Sequence, residues 1–367
     1  MASIPSRMRA LMQVKRIAKL DRAELATCFE LQTVDVPVPK AGQVLVKVES
    51  AAVHPSNLSA LQGLFATGAP PLPAFTGTEG SGTVVATGSG WWPWWLSGKR
   101  VATMVPSGMW AEYVVAEAQK CVVLPDDVSF EAGTSCFVNP LTSMSFVQIA
   151  QANNAKTIVH TAAASALGTS VVAGIVIFMD SVGKMLVRYA AQFNIQVIGV
   201  VRSQEQVEAL HGIGAKYVVN TSTEGWQDEL TNLCNELNAS IGFDCVGGEL
   251  PGQVQACMPA KSELFVYGNL TGQPWANFSP GDIRFNNKKI TGFFLFNYLS
   301  QQGSLGMFTM LGNVTKGIKT TFATSFNAAY PLEDAVDAIA GYATRMTNNK
   351  IVFKPQEKKA TALRSSL

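Results

Sequence analysis

From Thr157 onwards the sequence alternates short apolar segments with amphipathic ones, and this alternation constrains the fold more than any other feature. The apolar segments include TIVH at 157–160, QVIGVV at 196–201 and FDCVGG at 243–248, with helix-like segments such as SQEQVEALHGIG between them. Short apolar strands separated by helices are typical of right-handed βαβ units, whose parallel sheet is covered on both faces. The sequence therefore predicts an α/β fold, with a doubly wound parallel sheet over residues 139–299.

Residues 1–138 have a different pattern. Segments such as QVLVKVESAAV at 43–53, GSGTVVATG at 80–88 and KRVATMV at 99–105 are β-branched, of strand length, and separated by glycine and proline. They predict a β domain. The end of the chain, residues 300–367, carries a strand-like stretch near TTFATSFNAAY and the closing segment KIVFKP, so we expect it to return and complete that first domain. A length of 367 residues suits two domains.

Composition excludes several function classes. The net charge of +2 lacks the concentrated basic excess of a dedicated nucleic-acid binder, so we expect a small-molecule partner and no nucleic acid. No segment reaches the roughly 18 apolar residues of a membrane span. The N-terminal segment is basic and has no acid before Asp21, which leaves a mitochondrial location open. Because MRALMQVK already predicts a first strand, the cytoplasm is the default expectation.

The residues that bind metals are few and scattered. The six cysteines contain no C-x-x-C pair, and His54, His160 and His211 are the only histidines, none of them four residues apart. Zinc ribbons and helix-borne metal pairs need those spacings. We therefore expect no metal site, and cysteines that pack as isolated thiols.

The stretch TAAASALG follows the first apolar strand, where a dinucleotide-binding domain places the pyrophosphate against the amides of a helix start. It lacks the usual G-x-G-x-x-G and keeps only the third glycine. Ala163 and Ser165 occupy the other two glycine positions and are small enough for close approach. The predicted pyrophosphate contacts are Ala163, Ser165, Ala166, Leu167 and Gly168.

Arg202 immediately follows the strand QVIGVV, at the position where an acidic residue would bind the ribose hydroxyls of NAD. An arginine with Ser203 beside it would instead bind a 2′-phosphate through charge-assisted hydrogen bonds. We therefore expect NADP(H) as the cofactor. The alternative is an ordinary surface arginine at a strand end.

Residues 169–183 form an apparent insertion. Removing TSVVAGIVIFMDSVG would leave TAAASALGKMLVRYAAQF, an unbroken strand end, turn and helix. We expect Gly168 still to close the turn and the insertion to prolong or interrupt the first helix. It either shields the pyrophosphate or mediates assembly, or it is a neutral insertion, which is the interpretation we favour.

The segment GSGWWPWWLSG places four tryptophans around Pro93 in what the pattern predicts to be a connecting loop. Such a loop cannot easily bury all four indoles, so an exposed apolar patch is expected. Contact with another subunit, contact with a membrane surface, and partial packing against the β domain all remain open.

Several separated stretches together resemble the zinc-free branch of the medium-chain dehydrogenase/reductase superfamily that holds quinone oxidoreductases and 2-enoyl thioester reductases. These stretches are AAVHPSNLSALQG, FTGTEGSGTVVATGSG, GKRVA, GMWAEYVV, VNPLTS, TAAASALG, FDCVGG, FVYGNLTG, KKITGFFL and KIVFKP. They span nearly the whole chain in the order of the family. The resemblance implies a GroES-like catalytic β domain, a Rossmann nucleotide domain and an active-site cleft between them.

The resemblance also implies roles for individual residues. Asn139 and Thr142 are expected near the nicotinamide and its ribose, and Tyr267 and Gly268 beside the nicotinamide. The aromatic segment Phe293, Phe294 and Phe296 is expected to approach the cofactor or substrate from the last strand, with Phe294 as the assigned contact.

The catalytic residues expected from the resemblance are His54, Asn57 and Phe65, and two of these depart from the family pattern. Asn57 stands where the branch usually has an aspartate. Phe65 stands where enoyl reductases of this kind have a tyrosine, and phenylalanine donates no proton. His54 lies where zinc-dependent relatives carry a cysteine ligand, and with no partner ligand it is expected to line the cleft or form hydrogen bonds.

These features favour an NADPH-dependent, metal-independent oxidoreductase that passes hydride to a quinone or an α,β-unsaturated carbonyl. A reduced quinone takes its protons from water and needs no tyrosine. Two alternatives stay open: a 2-enoyl thioester reductase, and a catalytically silent paralogue impaired by the insertion. A homodimer is the expected assembly.

Overall fold

A computed structural model of the chain describes residues 3–63, 70–161, 182–324, 326, 328–344 and 350–358. The chain divides into two compact units, one formed by residues 1–137 and 324–367 and the other by residues 138–323. No helix in the described residues is long and apolar enough to cross a membrane.

The strands, in chain order, are β1 Arg7–Gln13, β2 Phe29–Asp35, β3 Gln43–Ala52, β4 Ala74–Phe75, β5 Glu79–Thr87, β6 Arg100–Met104, β7 Tyr113–Glu117, β8 Cys121–Val123, β9 Thr157–Thr161, β10 Gln196–Val201, β11 Tyr217–Asn220, β12 Ile241–Asp244, β13 Glu263–Val266, β14 Lys289–Gly292, β15 Ala328–Tyr330 and β16 Ile351–Phe353.

The helices are α1 Arg22–Cys28, α2 Pro55–Leu61, α3 Trp91–Leu96, α4 Phe130–Gly133, α5 Val138–Ala152, α6 Lys184–Ala191, α7 Gln204–His211, α8 Trp226–Glu236, α9 Leu250–Cys257, α10 Pro280–Arg284, α11 Leu295–Ser300, α12 Gly303–Gly317 and α13 Ala335–Thr344. Short 3₁₀ turns lie at Ala118–Lys120 and Leu332–Asp334.

The first unit contains two sheets, whose strands pair antiparallel except for β15 and β16, which are parallel. A small sheet has the order β2-β1-β4, and a larger one has the order β15-β16-β3-β5-β6-β8, with β7 also paired to β3. The pairing of β3 with β5 is interrupted between Leu45 and Val46 and again between Val48 and Ser50. Irregularities of this kind bend a strand, and the bent β3 pairs with β5, β7 and β16.

Trp110 lies at the centre of the first unit. Its ring is 1% exposed, sits edge-on to Phe353 at 5.1 Å between centroids, and donates from Nε1 to the carbonyl of Ala52 at 3.0 Å. Gly77 lies against this ring with a φ of +79°, and a Cβ there would be 2.3 Å from the indole. Both the backbone conformation and the close contact therefore require glycine at this position.

Arg9 ties the two separate parts of the first unit together. Its Nε donates to Glu112 at 2.9 Å, its Nη1 pairs with Glu333, and its Nη2 donates to the carbonyls of Pro355 and Glu357 at 2.8 and 3.1 Å. The returning segment also pairs β16 antiparallel to β3. The chain end thus joins the β unit, as the strand pattern predicts.

The second unit is built on a parallel six-stranded sheet with the order β11-β10-β9-β12-β13-β14. The order reverses direction beside β9, so that β10 pairs with one side of it and β12 with the other. This arrangement of strands and helices confirms the predicted α/β class with a doubly wound parallel sheet.

The second boundary between the units differs from the prediction. The sequence pattern predicts residues 300–323 as part of the β unit, but the structure groups them with the second unit. The reason is α12, which packs on α5 and α11 of the second unit and so buries its apolar side there. The first boundary, at 137, lies next to the predicted one.

The predicted tryptophan loop is wrong in one respect. Residues 91–96 form the helix α3 instead of an irregular loop. Trp91 and Trp94 are each 73% exposed and Trp95 is 41% exposed, so the expected apolar patch is present on a helix.

Candidate functional site

The carboxyl ends of β9, β10, β12 and β13 lie along one edge of the parallel sheet, and the reversal of strand order falls between β9 and β12. In open parallel sheets, ligands bind beside the strand ends at such a reversal. The predicted cofactor contacts of the second unit follow these strand ends or lie on α5, except Phe294, which follows β14.

Thr161 and Asp244 form a buried pair at the reversal. The Thr161 hydroxyl donates to Asp244 Oδ1 at 2.6 Å, and the amide of Gly247 donates to Oδ2 at 3.0 Å. Both residues are 0% exposed, and burial raises the pKa of Asp244 to about 6 in spite of these hydrogen bonds. Because Thr161 ends β9, this pair holds the strand end from which the predicted phosphate turn departs.

Sequence reasoning had named neither member of this pair. The signal was available in FDCVGG, where an aspartate followed by two glycines ends an apolar strand. Only the parallel register shows that this aspartate faces Thr161.

The predicted phosphate turn itself lies outside the described residues. This concerns Ala163, Ser165, Ala166, Leu167 and Gly168, and most of the apparent insertion 169–183. Description resumes at Val182, and α6 begins at Lys184, immediately after the predicted end of the insertion. The expectations for the turn and the insertion therefore stay predictions.

Asn139 and Thr142 lie on the first turn and a half of α5 and are both buried. The Thr142 hydroxyl donates to the Val138 carbonyl at 2.6 Å. The Asn139 Nδ2 has no hydrogen-bond partner among the described residues, although the side chain is only 7% exposed. A buried amide donor of this kind is stabilised when a bound group accepts from it.

Arg202 and Ser203 follow β10 directly. Arg202 is half-buried, its guanidinium forms no ion pair with a carboxylate in the described part of the chain, and burial lowers its pKa. Ser203 is the extended N-cap of α7, and its hydroxyl makes no cap hydrogen bond. A desolvated cation beside a helix start is suited to bind an anionic group.

Tyr267 and Gly268 follow β13. The Tyr267 hydroxyl lies 2.8 Å from His160 Nε2, and its ring meets Phe146 edge-on at 4.9 Å. Gly268 lies against Cys245, where a Cβ would be 3.0 Å from the Cys245 Cβ. The tyrosine hydroxyl is therefore engaged within the unit, and the glycine permits close approach of two strand ends.

The phenylalanines that follow β14 lie in different environments. Phe293 packs on Phe146 at 5.2 Å, whereas Phe294 is 36% exposed at the start of α11. Phe296 lies within α11 and not on the last strand, which corrects that part of the prediction. The chain leaves the strand after Gly292, so its alternation of sides ends there.

In the first unit, His54 and Asn57 sit at the start of α2. The Asn57 Oδ1 accepts from the His54 amide at 2.8 Å, and its Nδ2 donates to the Thr78 hydroxyl at 3.1 Å. The asparagine amide thus donates to Thr78, whereas an aspartate at this position would accept from both the His54 amide and the Thr78 hydroxyl. Phe65 lies outside the described residues.

His54 lies beside a buried carboxylate that sequence reasoning had missed. Its Nε2 is 3.0 Å from Glu79 Oε2, and Glu79 Oε1 accepts from the Phe137 amide at 2.7 Å. Both side chains are buried. Glu79 stands in the quoted stretch FTGTEGSG, but only the fold brings it to His54.

The described residues contain no group of three or more histidine, cysteine, aspartate or glutamate side chains that could hold a metal ion. The six cysteines are all buried and free of disulfides, as their spacing predicts.

Comparison with known proteins identifies the family. Residues 40–126 match the family described as alcohol dehydrogenase GroES-like domain, and residues 181–309 match the family described as zinc-binding dehydrogenase. Together the two matches cover more than half of the chain. The chain belongs to the medium-chain dehydrogenase/reductase superfamily.

Within this superfamily the chain is similar to the mitochondrial enoyl-[acyl-carrier-protein] reductase of Arabidopsis thaliana, at 28% identity over 71% of this chain and 66% of that protein. A solved structure from Mesorhizobium loti, assigned as an NADPH:quinone reductase, aligns with a TM-score of 0.81 at 28% identity, covering 96% of this chain and 100% of that one. A mycobacterial structure complexed with NADPH has a TM-score of 0.73 at 22% identity, covering 95% and 100%.

These relatives place the chain in the branch of quinone oxidoreductases and enoyl reductases, as the sequence motifs predict, and make it an oxidoreductase. They also confirm the GroES-like and nucleotide-binding domains. The described residues fit a phosphorylated dinucleotide for two reasons. Arg202 has no carboxylate partner among them, and the buried Asn139 Nδ2 has no hydrogen-bond acceptor among them.

Replacing His160 with glutamine tests the polar contact at the strand edge. Burial lowers the pKa of His160 from 6.5 to about 4, so the folded protein holds it neutral while the unfolded chain binds a proton in that interval. The free energy of unfolding is therefore unaffected by this histidine above pH 6.5. It falls by roughly 3 kcal/mol as the pH is lowered towards 4. Urea unfolding at several pH values should show a weaker acid dependence in the variant.

The matched control is His211→Gln, since His211 is an exposed histidine of the same unit. It should retain the acid dependence of the unmodified protein. Asp244 acts in the opposite sense, because its raised pKa favours the folded state at low pH, so the comparison is made between variants. Identical pH profiles for the unmodified protein and His160→Gln would contradict the assignment.

Proposed function

We propose that this oxidoreductase transfers a hydride from NADPH to a quinone or a simple α,β-unsaturated carbonyl, without a metal. The observation that carries the proposal is Arg202, a half-buried guanidinium without a carboxylate partner in the described residues, placed directly after β10. In a parallel nucleotide-binding sheet the residue after this strand faces the adenosine ribose.

The cofactor is NADP(H). Arg202 and the Ser203 hydroxyl bind its 2′-phosphate, and the buried Asn139 amide donates a hydrogen bond towards the ribose or nicotinamide. The turn from Ala163 to Gly168 receives the pyrophosphate. NADPH supplies the hydride, so this chain contributes binding, orientation and exclusion of water.

The first unit supplies the polar group for the acceptor. His54 contacts the acceptor oxygen, and Glu79 holds its imidazole in one orientation through the 3.0 Å contact at Nε2. Asn57 acts indirectly, because its side chain is used to hold the His54 backbone and Thr78. A group that orients the acceptor stabilises the negative charge that develops on its oxygen.

The type of acceptor follows from Phe65. An enoyl thioester reductase that depends on a tyrosine hydroxyl at this position would be impaired, whereas a quinol takes its protons from water. The second candidate is nevertheless a 2-enoyl thioester reductase, because the Arabidopsis relative and its bovine counterpart carry that name.

We also propose a homodimer formed through β14. This strand pairs only with β13 in the described sheet and leaves its other edge open. Ile290 on this strand is 37% exposed, and Phe285, shortly before the strand in the sequence, is 78% exposed. An open apolar edge favours pairing with a second copy of the same strand.

Steady-state oxidation of NADPH against a panel of quinones, enals and enoyl thioesters tests the activity. We expect turnover with quinones and simple enones, and little with enoyl thioesters. A Phe65→Tyr variant should raise thioester reduction selectively, because it restores the missing hydroxyl, and should leave quinone reduction unchanged.

Efficient thioester reduction by the unmodified protein would favour the second candidate. Binding of NADPH without turnover of any acceptor, or no binding at all, would indicate the silent paralogue. A Phe65→Leu variant is the matched control, since it changes the side chain without adding a hydroxyl.

An Arg202→Asp substitution tests the cofactor. It removes a charge-assisted contact and adds repulsion, so the dissociation constant for NADPH should rise at least about tenfold while that for NADH changes little. Fluorescence titration measures both constants, and Arg284→Asp, an exposed arginine of the same unit, is the control. Equal affinity of the unmodified protein for NADH and NADPH would refute the role of Arg202.

An Ile290→Lys substitution tests the dimer. A charge on an edge strand opposes strand pairing, so sedimentation velocity should show a shift from dimer to monomer. Leu31→Lys is the matched control, because Leu31 is also 37% exposed and lies on the edge strand β2 of the other unit. A dimer that persists in Ile290→Lys would contradict this interface.

A further inference from the structure

The helix α3 has more apolar surface than the first unit buries. Pro93 and Leu96 point inward, and Trp92 is anchored by its Nε1, which donates to the carbonyl of Ala118 at 3.0 Å. Trp91, Trp94 and Trp95 are spaced three and four residues apart and therefore share the outer face. We call these three residues the tryptophan face.

The tryptophan face is held in place from within the unit. The Trp92 and Trp95 rings stack at 4.7 Å with an interplanar angle of 15°, and Trp91 meets Trp92 edge-on at 5.2 Å. The rings of Trp91 and Trp95 are therefore ordered against a fixed neighbour. Little conformational entropy remains to be lost when this face contacts a partner.

Basic residues surround the tryptophan face. Lys99 Nζ lies 4.3 Å from the Trp95 ring centroid, and Lys120 follows Ala118, the residue that accepts from Trp92. The Lys40 carbonyl lies against Gly88, where a Cβ would be 1.7 Å away, just before α3. Glu117, which precedes the 3₁₀ turn Ala118–Lys120, accepts from Gln43 at 2.8 Å. Among these four charged residues, three are basic and one is acidic.

The size of the face argues against a stable protein interface. Scaled by the area that a tryptophan side chain buries, the exposed parts of the three rings amount to about 400 Å². A stable protein interface buries about 800 Å² on each partner. Tryptophan is instead enriched where a bilayer meets water, because the indole has an apolar body and a polar N–H.

We propose that the tryptophan face docks this protein on the surface of a membrane that contains anionic lipid. The three indoles enter the boundary between headgroups and acyl chains, and Lys40, Lys99 and Lys120 contact the anionic headgroups. The attachment is peripheral, since α3 has six residues. It places an enzyme that reduces apolar acceptors beside the phase in which such acceptors dissolve.

Co-sedimentation of the full chain with phosphatidylcholine vesicles, with and without phosphatidylserine, tests this proposal. The protein should bind the phosphatidylserine vesicles, bind phosphatidylcholine alone at least about tenfold more weakly, and dissociate as salt is raised. The double variant Trp91→Ser/Trp94→Ser should lose at least about tenfold in vesicle affinity. Because both side chains are mostly exposed, its NADPH affinity should be unchanged.

Two controls make the result specific. Trp275→Ser removes a 47% exposed tryptophan from the other unit and should keep full vesicle binding. Lys99→Gln/Lys120→Gln should weaken binding to phosphatidylserine vesicles, whereas Lys156→Gln/Lys216→Gln, two exposed lysines of the other unit, should not.

The proposal is overturned if vesicle binding is absent or is the same in the double tryptophan variant. Equal binding to both kinds of vesicle would remove the role of the lysines and contradict the proposal as stated. A lipid-free association that the double variant abolishes, measured by sedimentation velocity, would assign the face to a second copy of the chain.

Discussion

Parallel pairing of β9 with β10 on one side and β12 on the other is the constraint on which the candidate site depends. The register sets Thr161 opposite both Val200 and Asp244, so the ends of three strands that are distant in sequence meet at one edge. In a parallel sheet each strand must be followed by a crossover, and the residues after these strands therefore come together. Arg202 and Asp244 both owe their position to this pairing.

Two buried polar side chains at the ends of these strands, Asp244 and His160, are stabilised by hydrogen bonds within the unit. Asp244 is held by a threonine hydroxyl and a backbone amide, and His160 by the Tyr267 hydroxyl. Burial favours the uncharged form of each side chain, which raises the pKa of the acid and lowers that of the base. The strand ends are thus held by buried hydrogen bonds, and Arg202, which follows β10, is the cation placed beside them.

The first unit depends on contacts that are very distant along the chain. Arg9 near the N-terminus reaches Glu333 and the Pro355 carbonyl, and β16 pairs with β3. The two segments of this unit are separated in the sequence by the whole of the second unit, so their contacts close a long loop. Loop closure over that distance is compensated by burial of Trp110 against Phe353 and by the several hydrogen bonds of one guanidinium.

The sequence by itself determined the architecture of the second unit, because short apolar strands that alternate with helices form βαβ crossovers and a parallel sheet. It also marked Arg202, since a strand end followed by a single charged residue is a local pattern. It did not show the partnership of Thr161 with Asp244, or of His54 with Glu79, because each is a contact between separate strands or loops. Only the tertiary structure decided that Asn57 accepts a hydrogen bond from the His54 backbone and that residues 300–323 belong to the second unit. It also decided that the tryptophans form a helix with one buried side and one exposed side. These outcomes depend on which surfaces remain to be buried once the two cores have formed, and no local pattern records that.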